Sequence, residues 1–114
     1  MGSSPAKEVQ PKERNFILKI NGDQLELRSD KGCYIKTICY RDVVDADLSR
    51  DGSLIVVTLK DGKVELRKGN GTFLKLIVYK DAVSARWNGS DIAIRLTNGK
   101  TELRKENGSY IRTI

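Results

Sequence analysis

From residue 16 onward the chain alternates apolar and polar positions in short bursts. Phe16, Leu18 and Ile20 form one set, Ile55, Val57 and Leu59 a second, Ile92, Ile94 and Leu96 a third. A strict period of two puts every apolar side chain of a burst on one face of a strand. Val64 and Leu66 alternate in the same way with Glu65 and Arg67. Between successive bursts stand Asn21-Gly22, Asp61-Gly62 and Asn98-Gly99. These dipeptides tolerate the positive φ angles of a tight hairpin turn. A second kind of turn ends in Gly32, Gly71 or Gly108, and no segment keeps a helical period. The pattern predicts an all-β chain.

The pattern also repeats. "GKVELRKGNGTFLKLI" at 62–77 returns as "GKTELRKENGSYIRTI" at 99–114, with nine of sixteen positions identical. A weaker copy, "GDQLELRSDKGCYIKTI", occupies 22–38, and the triplet Glu-Leu-Arg begins at Glu26, Glu65 and Glu102. The intervening segments 42–59 and 81–96 also align, and 6–20 can be laid under 82–96, so that Phe16 matches Ile92. The chain is therefore three units of about 38 residues, a period typical of repeat architectures. Their bounds are 6–38, 39–77 and 78–114. In the middle unit strands are predicted at 43–48, 54–59, 63–67 and 73–77. Residues 1–14 carry Pro11 and several charges, and are expected to be disordered or a poor innermost strand, ahead of a repeat body at 15–114.

The stretch "DLSRDGSLIVVTLKDGKVELRKGNGTFLKLI" resembles one blade of a WD40-like β-propeller, through its Ser-x-Asp-Gly turn at 49–52, its apolar second strand, Asp61-Gly62 and Val64-x-Leu66. The family's Gly-His pair is missing, and Arg67-Lys68 stand where its Trp-Asp dipeptide would be. The alternative with three four-stranded units is a β-trefoil monomer. A propeller closes with about four to eight blades, so three are too few. A lone arc would leave a broad apolar face at each end, and such faces mark association surfaces. Head-to-tail contacts that rotate about an axis close into rings. The resemblance therefore implies a homodimer forming one six-bladed ring. An excerpt of a longer propeller, or an engineered repeat, would read the same way.

Composition narrows the chemistry. The chain has no histidine, the commonest general base and metal ligand. It has no GxSxG motif and no P-loop, and its carboxylates lie in turns or beside Lys and Arg. A non-enzymatic protein without a cofactor or metal is expected. The net charge of +6 is spread along the chain, which favours solubility over the clustered footprint of a nucleic-acid binder. No apolar run suggests a leader or a membrane span. Cys33 and Cys39 are too few for a disulfide framework, which suits a reduced, cytoplasmic setting.

Candidate binding residues come from the resemblance, which places the loops entering each first strand around the central channel. Here these are Tyr40-Arg41-Asp42 and Tyr79-Lys80-Asp81. The tyrosines could stack on a ligand while the charged pair hydrogen-bonds to it; equally, the tyrosine packs on a neighbouring blade and the aspartate caps its own turn. Asp45, Asp47, Ser84 and Arg86 alternate with core positions on the innermost strands and are expected to line the channel, Asp47 pairing with Arg86. Trp87, aligned with Leu48 on the side of Val44 and Ala46, is expected in the core. Two functions remain: a self-assembling scaffold that presents its loop face to a protein partner, or a lectin-like binder of glycans or other small ligands at repeated sites.

Overall fold

The structure is a computed structural model and describes residues 16–114. Sheet one contains β1 (Phe16–Asn21), β2 (Gln24–Ser29) and β3 (Tyr34–Cys39). Sheet two contains β4 (Val43–Leu48), β5 (Leu54–Leu59), β6 (Val64–Lys68) and β7 (Phe73–Val78). Sheet three contains β8 (Ala82–Asn88), β9 (Asp91–Leu96), β10 (Thr101–Lys105) and β11 (Tyr110–Thr113). Within each sheet the strands lie in chain order, each antiparallel to the next. The expected inner strand of the first unit, and the segment 1–14 with it, fall outside the described residues. No described strand ladders from one sheet into another. The β-trefoil alternative, whose units would share one hydrogen-bonded barrel, is thereby overturned.

Two apolar layers join the sheets. Between sheets one and two lie Leu25, Leu27, Ile38, Cys39, Val43, Ile55 and Val57, with Phe16 and Leu18 packed against them. Between sheets two and three lie Val56, Val64, Leu66, Ile77, Ala85, Ile92 and Ile94, with Trp87 at their margin. Trp87 thus packs where expected. Val44 does not: a bulge between Val43 and Asp45 turns it outward. Sheet two is covered on both sides, so β5 is a continuous apolar run: Ile55 and Val57 face backward, Val56 and Thr58 forward, and all four are fully buried.

The Glu-Leu-Arg triplets fix which positions correspond. Val56 pairs with Leu66 and Thr58 with Val64 on the forward face of sheet two, while Ile55 pairs with Arg67 and Val57 with Glu65 on its rear face. In sheet one, Leu18 pairs with Leu27 and Ile20 with Leu25, whereas Ile17 pairs with Arg28 and Lys19 with Glu26. Phe16, Leu18 and Ile20 therefore match the forward set, not Ile55, Val57 and Leu59 as the alignment predicts. The cause is turn length. Asn21 pairs with Gln24 across a two-residue turn, but Leu59 bonds Lys63 and Leu96 bonds Lys100 across three residues. A one-residue slip exchanges the faces of a strand.

The slip decides the character of the two end faces that no described strand covers. The rear face of sheet one presents Ile17, Lys19, Glu26 and Arg28. The forward face of sheet three presents Ala93 with Leu103 and Arg95 with Thr101. Among the described residues both end faces carry charge, so neither is the broad apolar face expected of a lone arc. Glycine allows two close backbone approaches, one from sheet two to the loop leading to sheet three and one within sheet two. A Cβ on Gly62 would sit 2.5 Å from the Asp81 nitrogen, and one on Gly69 2.3 Å from the Gly52 oxygen.

Candidate functional site

The loops 40–42 and 79–81 are pinned on both sides. Val43 N–H donates to the Asp23 carbonyl (3.0 Å) and Lys60 N–H to the Asp42 carbonyl (2.7 Å). One unit on, Ala82 N–H donates to Gly62 (3.0 Å) and Thr97 N–H to Asp81 (2.9 Å). Each loop is thus stitched to the hairpin of the preceding sheet and to the hairpin of its own. Asp42 and Asp81 adopt φ of 65° and 69°, a left-handed conformation that Asp tolerates better than most residues. The carbonyls take the bonds, and neither carboxylate caps its own turn among the described contacts.

This anchoring leaves the side chains outward. Tyr40 is 70% exposed and Tyr79 78%, with Arg41 and Lys80 exposed beside them. Neither tyrosine packs on a neighbouring sheet. Tyr79, Lys80 and Asp81 line one side of an open groove of about 260 Å³, with Leu96, Glu102 and Arg104 opposite. A wider groove, of about 470 Å³, opens elsewhere, between sheets one and two against Leu27, Leu48, Lys36 and Lys68.

The innermost strands are tied together by acids. Asp45 chelates the Arg86 guanidinium through both oxygens, Arg86 Nη2 lying 3.1 Å from Oδ1. The hydrogen bond to Asp45 holds the Arg86 pKa above its ordinary value, against a smaller opposing effect of burial. Asp47 instead accepts the Trp87 backbone N–H at 2.8 Å, while the Trp87 indole donates to the Asp47 carbonyl at 3.2 Å. The expected Asp47–Arg86 pair is therefore replaced by Asp45–Arg86. Both carboxylates reach the outward edge of β8, where N–H groups would otherwise lack a strand partner. Ser84 lies half-buried on the same strand, opposite Arg95.

One repeated group is larger than the triplets alone suggest. Glu26, Glu65 and Glu102 each accept the Nε of the arginine two residues later at 3.0 Å. Each arginine also donates Nη1 to a glycine carbonyl at 2.8 Å, from Gly32, Gly71 or Gly108. Its guanidinium carbon stands 6.0, 5.8 or 5.9 Å from the ring centre of Tyr34, Phe73 or Tyr110. The signal is present in the sequence, since every unit repeats Glu-x-Arg, then glycine, then an aromatic. Arg67 goes further, donating to the Ile38 carbonyl of sheet one at 3.2 Å. Three of the exposed aromatics thus lie under a guanidinium; among the described residues none lies over Tyr40 or Tyr79.

Among the described residues no three Cys, Asp or Glu side chains are grouped to hold a metal ion, and no helix is long and apolar enough to cross a membrane. Cys39 is buried small filler, but Cys33 is exposed.

No protein-family model matches the sequence, and no curated protein matches it. Solved structures do. BamB from Moraxella catarrhalis matches with a TM-score of 0.70 and 11% identity, over 91% of this chain and 33% of its own. The WD40 domain of Neurospora crassa Pan2 matches at 0.67 and 15%, over 90% and 35%. The β-propeller domain of Myceliophteria thermophila Cps50 (Swd1) matches at 0.65 and 14%, over 90% and 36%. The three sheets have the fold of β-propeller blades. The chain spans about a third of each of these structures. In blade terms, Tyr40–Asp42 and Tyr79–Asp81 are the connections between consecutive blades, and Asp45, Asp47, Ser84 and Arg86 stand on the innermost blade strands.

Proposed function

We propose that the chain is a non-enzymatic protein-interaction module that closes into a six-bladed ring with a second copy and offers its loop face to a partner. The observation that carries the interaction reading is the contrast among exposed aromatics. Tyr34, Phe73 and Tyr110 are engaged by arginines of their own blades. Tyr40 and Tyr79 project from loops whose backbones are already fixed. A rigid, uncommitted tyrosine beside a cation is low-entropy contact area, of the kind enriched at binding surfaces. Arg41 and Lys80 favour a partner with acidic groups. The ring adds Asp45, Asp47, Ser84 and Arg86 as the lining of a central channel.

The test is an array of acidic peptides and glycans probed with the whole chain and with Tyr40→Ala/Tyr79→Ala. The module reading expects saturable binding to peptides that the double variant loses, with its circular dichroism unchanged. Binding to glycans alone would favour the lectin-like reading. Binding unaffected by the double variant, or no binding to any peptide, would overturn the loop face as the site.

A further inference from the structure

A six-bladed ring of two copies needs a third kind of blade contact, between blade three of one copy and blade one of the other. The contact rests on the ring reading, and the two contacts within the chain supply its template. At the contact between blades one and two, Arg67 on the rear face reaches the carbonyl of Ile38, on the outer strand of the preceding blade. At the contact between blades two and three, Lys75 on the outer strand donates to the carbonyl of Asn107 in the next blade, at 2.8 Å. Both bonds cross a layer in which forward-face positions meet rear-face positions. Ile38 and Ile77 are buried there, at 2% and 5% exposure. Their counterpart Ile114 is 72% exposed.

The same positions on the two end faces form a matched pair of surfaces. On the rear face of blade one, Ile17 stands where Ile55 and Ile92 are buried, while Lys19 stands where Val57 and Ile94 are buried. On the forward face of blade three, Ala93 and Leu103 stand where Val56 and Leu66 are buried, while Arg95 and Thr101 stand where Thr58 and Val64 are buried. Along their strands, Lys19 and Arg95 both lie nearer the loop face than the apolar residues do. Apolar positions therefore oppose apolar ones, and polar positions oppose polar ones, at the same heights. Ends shaped only to meet solvent would have no reason to agree in this way.

We infer that the forward face of blade three receives the rear face of blade one of a second copy. The contact is apolar away from the loop face, through Ile17 against Ala93 and Leu103. It is charged toward the loop face, where Lys19 and its cross-strand partner Glu26 meet Arg95. Arg28, the counterpart of Arg67, donates to the Ile114 carbonyl of the other copy. Arg112, the counterpart of Lys75, donates to the carbonyl of residue 31. Because Lys19 and Arg95 stand where the other blades bury Val57, Ile94 and Thr58, this contact is weaker than the two inside the chain.

Sedimentation equilibrium on the whole chain tests this with two variants whose expected effects have opposite sign. Lys19→Ile restores the buried aliphatic of the other blades and should tighten dimerisation about tenfold or more. Leu103→Lys should weaken it by at least about as much. A wild-type dimer indifferent to both substitutions would overturn this contact while leaving the self-assembly reading standing. A wild-type monomer that dimerises as Lys19→Ile would support the contact and overturn the wild-type ring. Monomers throughout would overturn both.

Discussion

Thr58 is the sharpest test of how sheet two is held. It lies in β5 with no exposed surface, on the face turned toward sheet three. Its hydroxyl is buried without a hydrogen-bond partner. Such a group loses its water on folding and gains nothing in return, at a cost of about 1–3 kcal/mol. Its backbone partner Val64 is fully buried beside it, and the corresponding position in sheet one is Ile20. The site therefore accepts an aliphatic side chain. Thr58→Val keeps the shape and removes the uncompensated hydroxyl, so it should stabilise the chain by about 1–3 kcal/mol. In thermal denaturation that is a rise of about 4 °C or more. Thr58→Ser keeps the hydroxyl and removes a buried methyl, and should cost about 1 kcal/mol. Urea unfolding of the three proteins side by side measures both differences. If Thr58→Val unfolds at the same urea concentration as the parent, or lower, the hydroxyl has a partner and the layer between sheets two and three is not the dry surface described.

Two further perturbations probe local geometry. Gly62→Ala combines a positive φ of 90° with a Cβ 2.5 Å from the Asp81 nitrogen, and should cost about 3 kcal/mol or more in urea unfolding. Gly99→Ala, with φ of 88° but nothing within 4 Å, should cost only about 1 kcal/mol, and equal losses would contradict the described packing of loop 79–81. Asp51 is held down from 3.8 to about 2 chiefly by the Ser53 hydroxyl, then by the Ser53 N–H and the Ser49 hydroxyl. A carboxylate with a lowered folded-state pKa stabilises the fold above its unfolded value and loses that contribution as pH falls through the folded one. The stability gap between the parent and Asp51→Asn should therefore be full above pH 3.8 and shrink as pH approaches 2; a gap independent of pH would refute the turn geometry.

Much of the architecture is legible because it is written three times. Period-two bursts, Asn-Gly or Asp-Gly turns and the recurrent Glu-Leu-Arg define strands, hairpins and units without reference to tertiary contacts. Sheet one departs from the alignment because Asn21-Gly22 and Asp61-Gly62 look alike, yet one turn has two residues and the other three. The spelling of a turn does not reveal its length, and one residue exchanges the faces of β1. That exchange puts Lys19, rather than an apolar residue, on the rear face of sheet one. The inner-strand acids are legible as a group, but the partner of Arg86 is Asp45, one strand repeat from the residue expected. Alternation tells which residues share a face; it does not tell how far two facing strands are staggered. The Glu–Arg pairs can be read from their spacing alone. Their further bonds to Gly32, Gly71 and Gly108 depend on how the outer hairpin folds back over the guanidinium.

Small-angle X-ray scattering, calibrated for absolute mass, tests most directly whether three blades are half of a closed ring. A single chain has a mass of 12.8 kDa, and the arc itself extends 55 × 31 × 22 Å. The account predicts scattering from twice that mass at high protein concentration, with a disc-like envelope pierced at its centre. Scattering from a single elongated 12.8 kDa particle at every concentration and salt would contradict it.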